Sequence, residues 1–257
     1  MRFAYDNADT YLRWRASSYL DLEGEMADEL DERIGSFMGW HRANALPKYV
    51  TLIDDAGRRF ARGLTPADLV WGYDSVMAQA RESLRAAAER SAPLLDRLTP
   101  EQIAHFERRL GEDNRRFARE NLRGGDRERR KRRTERNVER LEDWVGRLSQ
   151  TQIDRVAQYS ERAPLLEEMR SRDHRRLQAA LLALLRAKEA KKRLPDFAAH
   201  WDRGREPAYA AAIELAREEY FAMLLDLDKS LTREQRERAA RELRRYGEDF
   251  RVLSRKQ

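Results

Sequence analysis

The phrase Leu98-Thr99-Pro100-Glu101-Gln102 decides the fold of this chain, because it carries the signals of a helix N-terminus and recurs along the sequence. Two further copies read Leu148-Ser149-Gln150-Thr151-Gln152 and Leu231-Thr232-Arg233-Glu234-Gln235, and Leu64-Thr65-Pro66-Ala67-Asp68 is a weaker fourth. The Thr or Ser hydroxyl can accept a hydrogen bond from a backbone N–H that the helix leaves unpaired. A Gln three residues later can reach back to the N–H of the cap residue, which completes a capping box. The phrases therefore predict four helix starts.

Apolar residues at steps of three and four follow these caps, and no stretch shows the sustained period of two that is typical of a strand. We predict an all-α fold, an elongated array of about ten helices packed as antiparallel hairpins. Pro47, Pro93 and Pro195 are predicted to interrupt helices. Residues 1–257 are expected to form a single helical domain, with a candidate subdivision at the Gly124-Gly125 turn.

The composition excludes several classes of protein. Charged residues make up 38% of the chain, against about 25% in ordinary soluble domains, and the net charge is +6. The chain contains no cysteine, so disulfides, thiol catalysis and zinc sites with cysteine ligands are ruled out. No apolar run approaches the ~18 residues that a membrane-spanning helix requires. Both signs of charge are interleaved, which favours helices with wide solvated faces.

A basic run lies just after the Gly124-Gly125 turn. Its cations at positions 129 to 133 are candidates for a surface that binds an anionic partner: Arg129, Arg130, Lys131, Arg132 and Arg133. The other interpretation is a charged helix face exposed to solvent, because Asp126 and Glu128 dilute the run and no aromatic residue is interleaved for base stacking.

A second candidate site is a cluster around a predicted helix break. Trp40, His41, Arg42 and Tyr49 combine amphipathic side chains of the kinds that are frequent in protein–protein hot spots, and we predict that they form a partner-binding edge. The structural alternative is a corner in which Trp40 packs inward while His41 and Arg42 cap the last carbonyls of a helix.

Motifs for catalysis and metal binding are absent from the sequence. The four histidines are His41, His105, His174 and His200, and no two of them have the spacing that places two ligands on one helix face. No Gly-x-Ser-x-Gly elbow and no glycine-rich phosphate loop occurs. We therefore predict no catalytic residue, no cofactor, no metal site and no enzymatic activity.

Several segments resemble an uncharacterised family of bacterial envelope lipoproteins. The resemblance is carried by Phe3-Ala4-Tyr5-Asp6-Asn7-Ala8-Asp9, Tyr19-Leu20-Asp21-Leu22, Trp40-His41-Arg42 with Leu46-Pro47-Lys48-Tyr49, and Trp144-Val145-Gly146-Arg147-Leu148-Ser149 with Gln152. It implies a lipidated cysteine upstream of Arg2 as a membrane tether. The Leu-Thr-x-x-Gln phrase is also similar to that of the Spy/CpxP-type periplasmic chaperones, which bind partly unfolded clients on an apolar concave surface.

Together these features lead us to expect a non-enzymatic periplasmic lipoprotein, anchored in the outer membrane rather than the inner one. It would bind an envelope protein client as a chaperone or assembly adaptor, and nucleic acid is not an expected partner. The alternative is a cytosolic helical protein that binds nucleic acid or another acidic partner through the helix at 127–133. Such binding would weaken steeply as the salt concentration rises.

Overall fold

A computed structural model describes the backbone of residues 2–255 and the side chains in that range other than those of Phe3 and Ala4. Every regular element over these residues is helical, which confirms the all-α prediction. The elements are α1 (Arg2–Asp6), α2 (Ala8–Leu20), α3 (Glu25–Trp40), a π-turn (His41–Ala45), α4 (Leu46–Ala61), α5 (Pro66–Leu95), α6 (Pro100–Asn121), α7 (Asp126–Val145), α8 (Gln150–Arg162), α9 (Glu167–Arg186), α10 (Ala190–Ala199), α11 (Pro207–Ser230) and α12 (Arg233–Ser254).

All four cap phrases form helix starts with complete capping boxes. Thr99, Ser149 and Thr232 each accept from the backbone N–H three residues later, and the Gln at that position accepts from the cap's own N–H. The weaker phrase also forms a full box, in which Asp68 takes the place of Gln. Two of the residues that precede the caps, Leu98 and Leu148, are buried in the core. The repeated phrase thus predicts the starts of α5, α6, α8 and α12 correctly.

The capping boxes of α8 and α12 meet in the protein interior. Gln152 Nε2 donates to Gln235 Oε1 at 2.9 Å, and Gln235 Nε2 donates to Gln152 Oε1 at 3.0 Å. Each amide also donates to the carbonyl two residues before the other cap, Gln152 to Ser230 O at 3.1 Å and Gln235 to Arg147 O at 2.9 Å. These matched contacts give the junction a local twofold pseudo-symmetry and join the two helix N-termini directly.

Proline interrupts the helices less than the sequence suggests. Pro47 occupies the first turn of α4, where a missing N–H costs little, and the π-turn makes the path from α3 to α4 continuously helical. Pro93 and Pro195 lie inside α5 and α10. An interior proline costs about 3 kcal/mol, and at Pro93 this cost is offset by the tight burial of its neighbours Ala92 and Leu94.

Two apolar clusters hold the helices together. The first is built by α2, α3, the C-terminal half of α5, α6, α9 and α10, and the second by α7, α8 and α11. The chain enters the second cluster at α7, returns to the first with α9 and α10, and ends with α12 against α4. The Gly124-Gly125 turn connects helices of different clusters, and a domain boundary at this turn stays a prediction.

The helices leave an unusually large surface in contact with solvent. The accessible area is 14900 Å² for a chain of 30.3 kDa, whereas a compact monomer of that mass exposes about 11,800 Å². Part of the excess lies in open grooves between helices. No helix among residues 2–255 is both long enough and apolar enough to cross a bilayer.

Candidate functional site

The first candidate site is a groove between α4, α5, α8 and α11, with a volume of about 610 Å³. We call it the aromatic groove, because its walls carry Trp71, Tyr73, Tyr159, Tyr220 and Phe221. Pairs of these rings meet edge to face across the helices: Tyr73 with Phe221 at 6.4 Å and Tyr159 with Tyr220 at 5.5 Å between centroids. The groove therefore offers a preformed aromatic surface of the kind that dominates binding energy at interfaces.

Guanidinium groups lie over the faces of three of these rings. Arg59 lies 4.1 Å from the centroid of Trp71, and Arg217 lies 4.9 Å from that of Tyr73. Arg133 stands 5.6 Å from the centroid of Tyr159. Of these arginines, Arg59 and Arg217 line the groove and contribute their apolar stems and flat cations to its wall.

The aromatic groove also contains polar groups that a ligand can use. The hydroxyls of Tyr73, Tyr159 and Tyr220 form no hydrogen bond with any other residue between positions 2 and 255. Burial raises the pKa of Tyr159 and of Tyr220, which keeps both phenols protonated at neutral pH. Each hydroxyl can therefore donate one hydrogen bond and accept another.

The groove is open along α5. Val76 projects from this helix with 56% of its surface exposed, an unusual state for a large apolar side chain that lines a groove. Gly72, one turn before it, has no atom within 4 Å of the position that a Cβ would take. The wall is thus accessible from solvent over more than one helical turn.

A second groove lies between α2, α3, α5 and α6, with a volume of about 630 Å³. We call it the N-terminal groove. In contrast to the aromatic groove its lining is mainly aliphatic, with Leu20, Leu30, Ile34, Leu94 and Leu110 among its residues. Phe37 lines this groove and also contacts the predicted partner-binding edge, with its ring centroid 6.2 Å from that of Trp40 and 5.8 Å from that of His41.

The structure brings Trp40, His41, Arg42 and Tyr49 together around the imidazole of His41. Tyr5 Oη lies 2.8 Å from His41 Nδ1, and Tyr49 Oη lies 3.5 Å from His41 Nε2. Burial, with Arg42 close by, holds the pKa of His41 below its usual value, and burial raises the pKa of Tyr5 to about 12. All four predicted residues are partly buried. Their buried atoms form the structural corner, and their exposed atoms offer only a limited surface to a partner.

The π-turn at His41–Ala45 is a feature that sequence reasoning missed. One extra residue in the turn widens the helix and brings His41 between Tyr5 and Tyr49. Such π-bulges are frequent at functional sites. The sequence carries only a weak local signal for a π-turn, because a π-turn differs from an α-turn only in the carbonyl to which the backbone N–H donates.

The basic run is divided between internal and external roles. Arg130 and Arg133 donate to carbonyls at the C-terminus of α8, with Arg133 Nη1 reaching Pro164 O at 2.8 Å and Arg130 Nη1 reaching Ser160 O at 2.8 Å. Arg129, whose side chain is only 12% exposed, bridges Asp126 and Glu168.

The two remaining cations of the run point elsewhere. Lys131 is 78% exposed and lies near Glu135, and Arg132 donates to the carbonyl of Arg123. The predicted anionic-partner surface is thus reduced to a few side chains, of which Lys131 is the most accessible. Binding through this surface remains a prediction.

Side chains suited to a metal are not assembled in the part of the chain that the structure describes, where no group of three or more His, Asp or Glu residues could hold an ion. The strongest perturbation of a carboxylate occurs at Asp68. Hydrogen bonds from Thr65 and Arg59 hold its pKa well below the usual range, and the residue is part of the capping box of α5. That role is structural.

The fold and its grooves define an all-α protein that presents two apolar clefts rimmed by arginine. The sequence model of a family of unknown function, DUF6279, matches residues 18–204, which include α3 to α10. The chain belongs to this family, as the resemblance to an uncharacterised family anticipated. No curated protein and no solved structure has significant similarity to the chain.

Proposed function

We propose that this protein binds an apolar segment of another envelope protein in the aromatic groove, without catalysis, as a chaperone or assembly adaptor. In this proposal the protein acts in the periplasm and is tethered to the outer membrane by an N-terminal lipid. The resemblance to envelope lipoproteins supports the proposed compartment, and the groove supports the proposed binding activity.

The observation that carries the proposal is the combination of rings and free hydroxyls in one open groove. A bound polypeptide brings apolar side chains, which need a nonpolar surface, and backbone N–H and C=O groups, which need hydrogen-bond partners. The rings of Trp71 and Phe221 supply the first, and the hydroxyls of Tyr73, Tyr159 and Tyr220 supply the second. The apolar stems of Arg59 and Arg217 add further nonpolar surface beside the rings.

The partner-binding edge at Trp40, His41, Arg42 and Tyr49 has a secondary place in this proposal. Its exposed atoms add a contact for a client or an assembly partner, while its buried atoms hold the connection between α3 and α4. Lys131 and its neighbours add a weak attraction for acidic clients.

The first experiment measures whether the purified protein suppresses aggregation of an outer-membrane protein diluted from urea. Gly72→Leu inserts a side chain into the open groove, where a Cβ meets no atom within 4 Å, so the helix is expected to tolerate it. We expect the variant to require about tenfold more protein for equal protection, the loss of one interface hot spot. Gly57→Leu is the matched control, because Gly57 is also an open helical glycine but lies outside the groove.

Equal protection by both glycine variants would contradict the proposal. The salt dependence of the same assay tests the alternative. Protection through an apolar groove changes little with salt, whereas binding of an acidic partner by the helix at 127–133 falls steeply. A steep fall, abolished by replacing Lys131 and Arg132 with glutamine, would favour the alternative.

The compartment is tested separately by mass spectrometry of the native N-terminus from fractionated cells. A lipidated cysteine upstream of Arg2 in the membrane fraction supports the lipoprotein proposal. An unmodified N-terminus at Met1 in the cytosolic fraction would refute it and would make acidic cytosolic partners the leading hypothesis.

A further inference from the structure

The N-terminal groove differs chemically from the aromatic groove. Its lining is built from aliphatic side chains of four helices, and Leu20, Leu30 and Leu94 at its base are almost completely buried. The hydroxyl groups on its wall are those of Ser91 and Tyr19, and Tyr19 already donates to Asp113. Acceptors for the N–H groups of a polypeptide are therefore few here, because Asp113 is already paired with Tyr19 and Arg15.

The first apolar cluster supplies Leu20, Leu30 and Leu94 to the lining of this groove. The guanidinium of Arg33 donates to Arg90 O at 2.6 Å, and Arg97 pairs with Glu29, so α3 and α5 run antiparallel along the groove. Along these two helices Leu30 and Leu94 lie on one side of the contact between Arg33 and Arg90. Phe37 and Ala87 lie on the other side, which is nearer the π-turn.

The three arginines that line the groove are not equivalent. Arg15 lies 3.7 Å from a carboxylate oxygen of Asp113, and Arg33 pairs with Glu29. Arg90 has no carboxylate within ion-pair distance among the described residues. Its Nη1 donates to Ala86 O at 2.9 Å, its guanidinium lies 5.3 Å from the centroid of the Trp40 ring, and its Nε is buried with no hydrogen-bond partner. The groove thus holds one cation that lacks a counter-ion, beside a long aliphatic wall.

We propose that the N-terminal groove binds a single-chain anionic amphiphile, the carboxylate of a long-chain fatty acid. The acyl chain lies along the leucines of α2, α3 and α5, and the carboxylate pairs with Arg90. Such a ligand places all of its polar atoms at one end, which suits a groove that holds one guanidinium without a counter-ion beside a long aliphatic wall. Its volume of about 630 Å³ falls within the range typical of small-molecule sites. This binding is independent of client binding in the aromatic groove.

The test is displacement of a fluorescent dansylated undecanoic acid by palmitate, with palmitate kept below its critical micelle concentration. We expect palmitate to displace the probe and the Arg90→Gln variant to bind palmitate about tenfold more weakly, as is typical of a lost charge-assisted hydrogen bond. Arg90→Lys keeps the charge and should retain most of the affinity. Arg85→Gln is the matched control, because Arg85 is an exposed arginine on the same helix that does not line the groove.

Hexadecanol, which has the same chain without the charge, distinguishes recognition of the head from simple partitioning. We expect it to compete more weakly than palmitate and to be insensitive to Arg90→Gln. The proposal is overturned if palmitate fails to displace the probe, if hexadecanol competes equally well, or if Arg85→Gln and Arg90→Gln lose the same affinity. Ala87→Phe narrows the groove without changing its charge, so it should lower binding of both ligands, and unchanged binding would also overturn the proposal.

Discussion

Replacing Gln152 with alanine tests the junction between the capping boxes of α8 and α12. The Gln152 side chain is buried, and the residue is only 2% exposed. It accepts from Ser149 N at 2.9 Å, donates to Ser230 O at 3.1 Å and exchanges two hydrogen bonds with Gln235. Alanine removes all four bonds, and the buried amide of Gln235 loses both of its bonds to Gln152.

The magnitude follows from these contacts. A hydrogen bond contributes about 1 kcal/mol net. Four lost bonds set an upper limit of about 4 kcal/mol, and because solvent reaches part of the junction we expect Gln152→Ala to cost about 2–4 kcal/mol. Gln102 occupies the equivalent position in the capping box of α6, but its bonds to Thr99 N and Asp21 O are exposed and water replaces them. We expect Gln102→Ala to cost about 1 kcal/mol, the usual value for a helix cap.

Urea denaturation followed by circular dichroism compares the free energies of unfolding of the two variants. A double-mutant cycle between Gln152→Ala and Gln235→Ala should give a coupling energy of about 1–2 kcal/mol, because the two amides share two bonds. Equal losses for Gln152→Ala and Gln102→Ala, together with no coupling to Gln235, would refute the reasoning.

Three further predictions concern stability. Arg133→Gln should lower the free energy of unfolding by about 1–3 kcal/mol, because Arg133 donates to carbonyls at the end of α8. Lys131→Gln should change this free energy by less than about 0.5 kcal/mol. A larger effect of Lys131→Gln than of Arg133→Gln in urea denaturation would contradict this prediction. Gly72→Ala should raise the free energy of unfolding by about 0.5–1 kcal/mol. A lower melting temperature of this variant would show that the position is not open. The pKa of Asp68 is held below its usual value, so its carboxylate stabilises the fold at neutral pH and this contribution is lost on acidification. Between about pH 5 and pH 2 the free energy of unfolding of Asp68→Asn should therefore fall less than that of the wild type.

The helix starts were predictable because the signals for capping are local. Thr99 and Gln102 lie three residues apart, and the physics of the first turn requires nothing else. The all-α class followed for a similar reason, since amphipathic spacing is visible within each helix. The helix at Pro93 was predicted to end too early, because the tight burial of Ala92 and Leu94 depends on partners from distant segments.

The candidate sites depended on such distant partners and were less accessible to sequence reasoning. The walls of the aromatic groove come from α4, α5, α8 and α11, and no local pattern indicates that Trp71 and Phe221 share a cleft. The run at 129–133 is conspicuous in the sequence, yet Arg130 and Arg133 donate to carbonyls of the segment at 160–164. Which cations face solvent was decided by the packing of α7 against α8.

The central claim, that the aromatic groove holds a segment of another protein, is tested most directly by site-specific photocrosslinking. A benzoylphenylalanine replaces either Val76, which lines the groove, or Val70, which lies on the same helix outside it. The two positions are similarly exposed, at 56% and 49%. With a purified outer-membrane protein diluted from urea as client, we expect a strong adduct from position 76 and a weak one from position 70. Equal adducts from both positions, or none from position 76 while the protein still suppresses aggregation, would contradict the account.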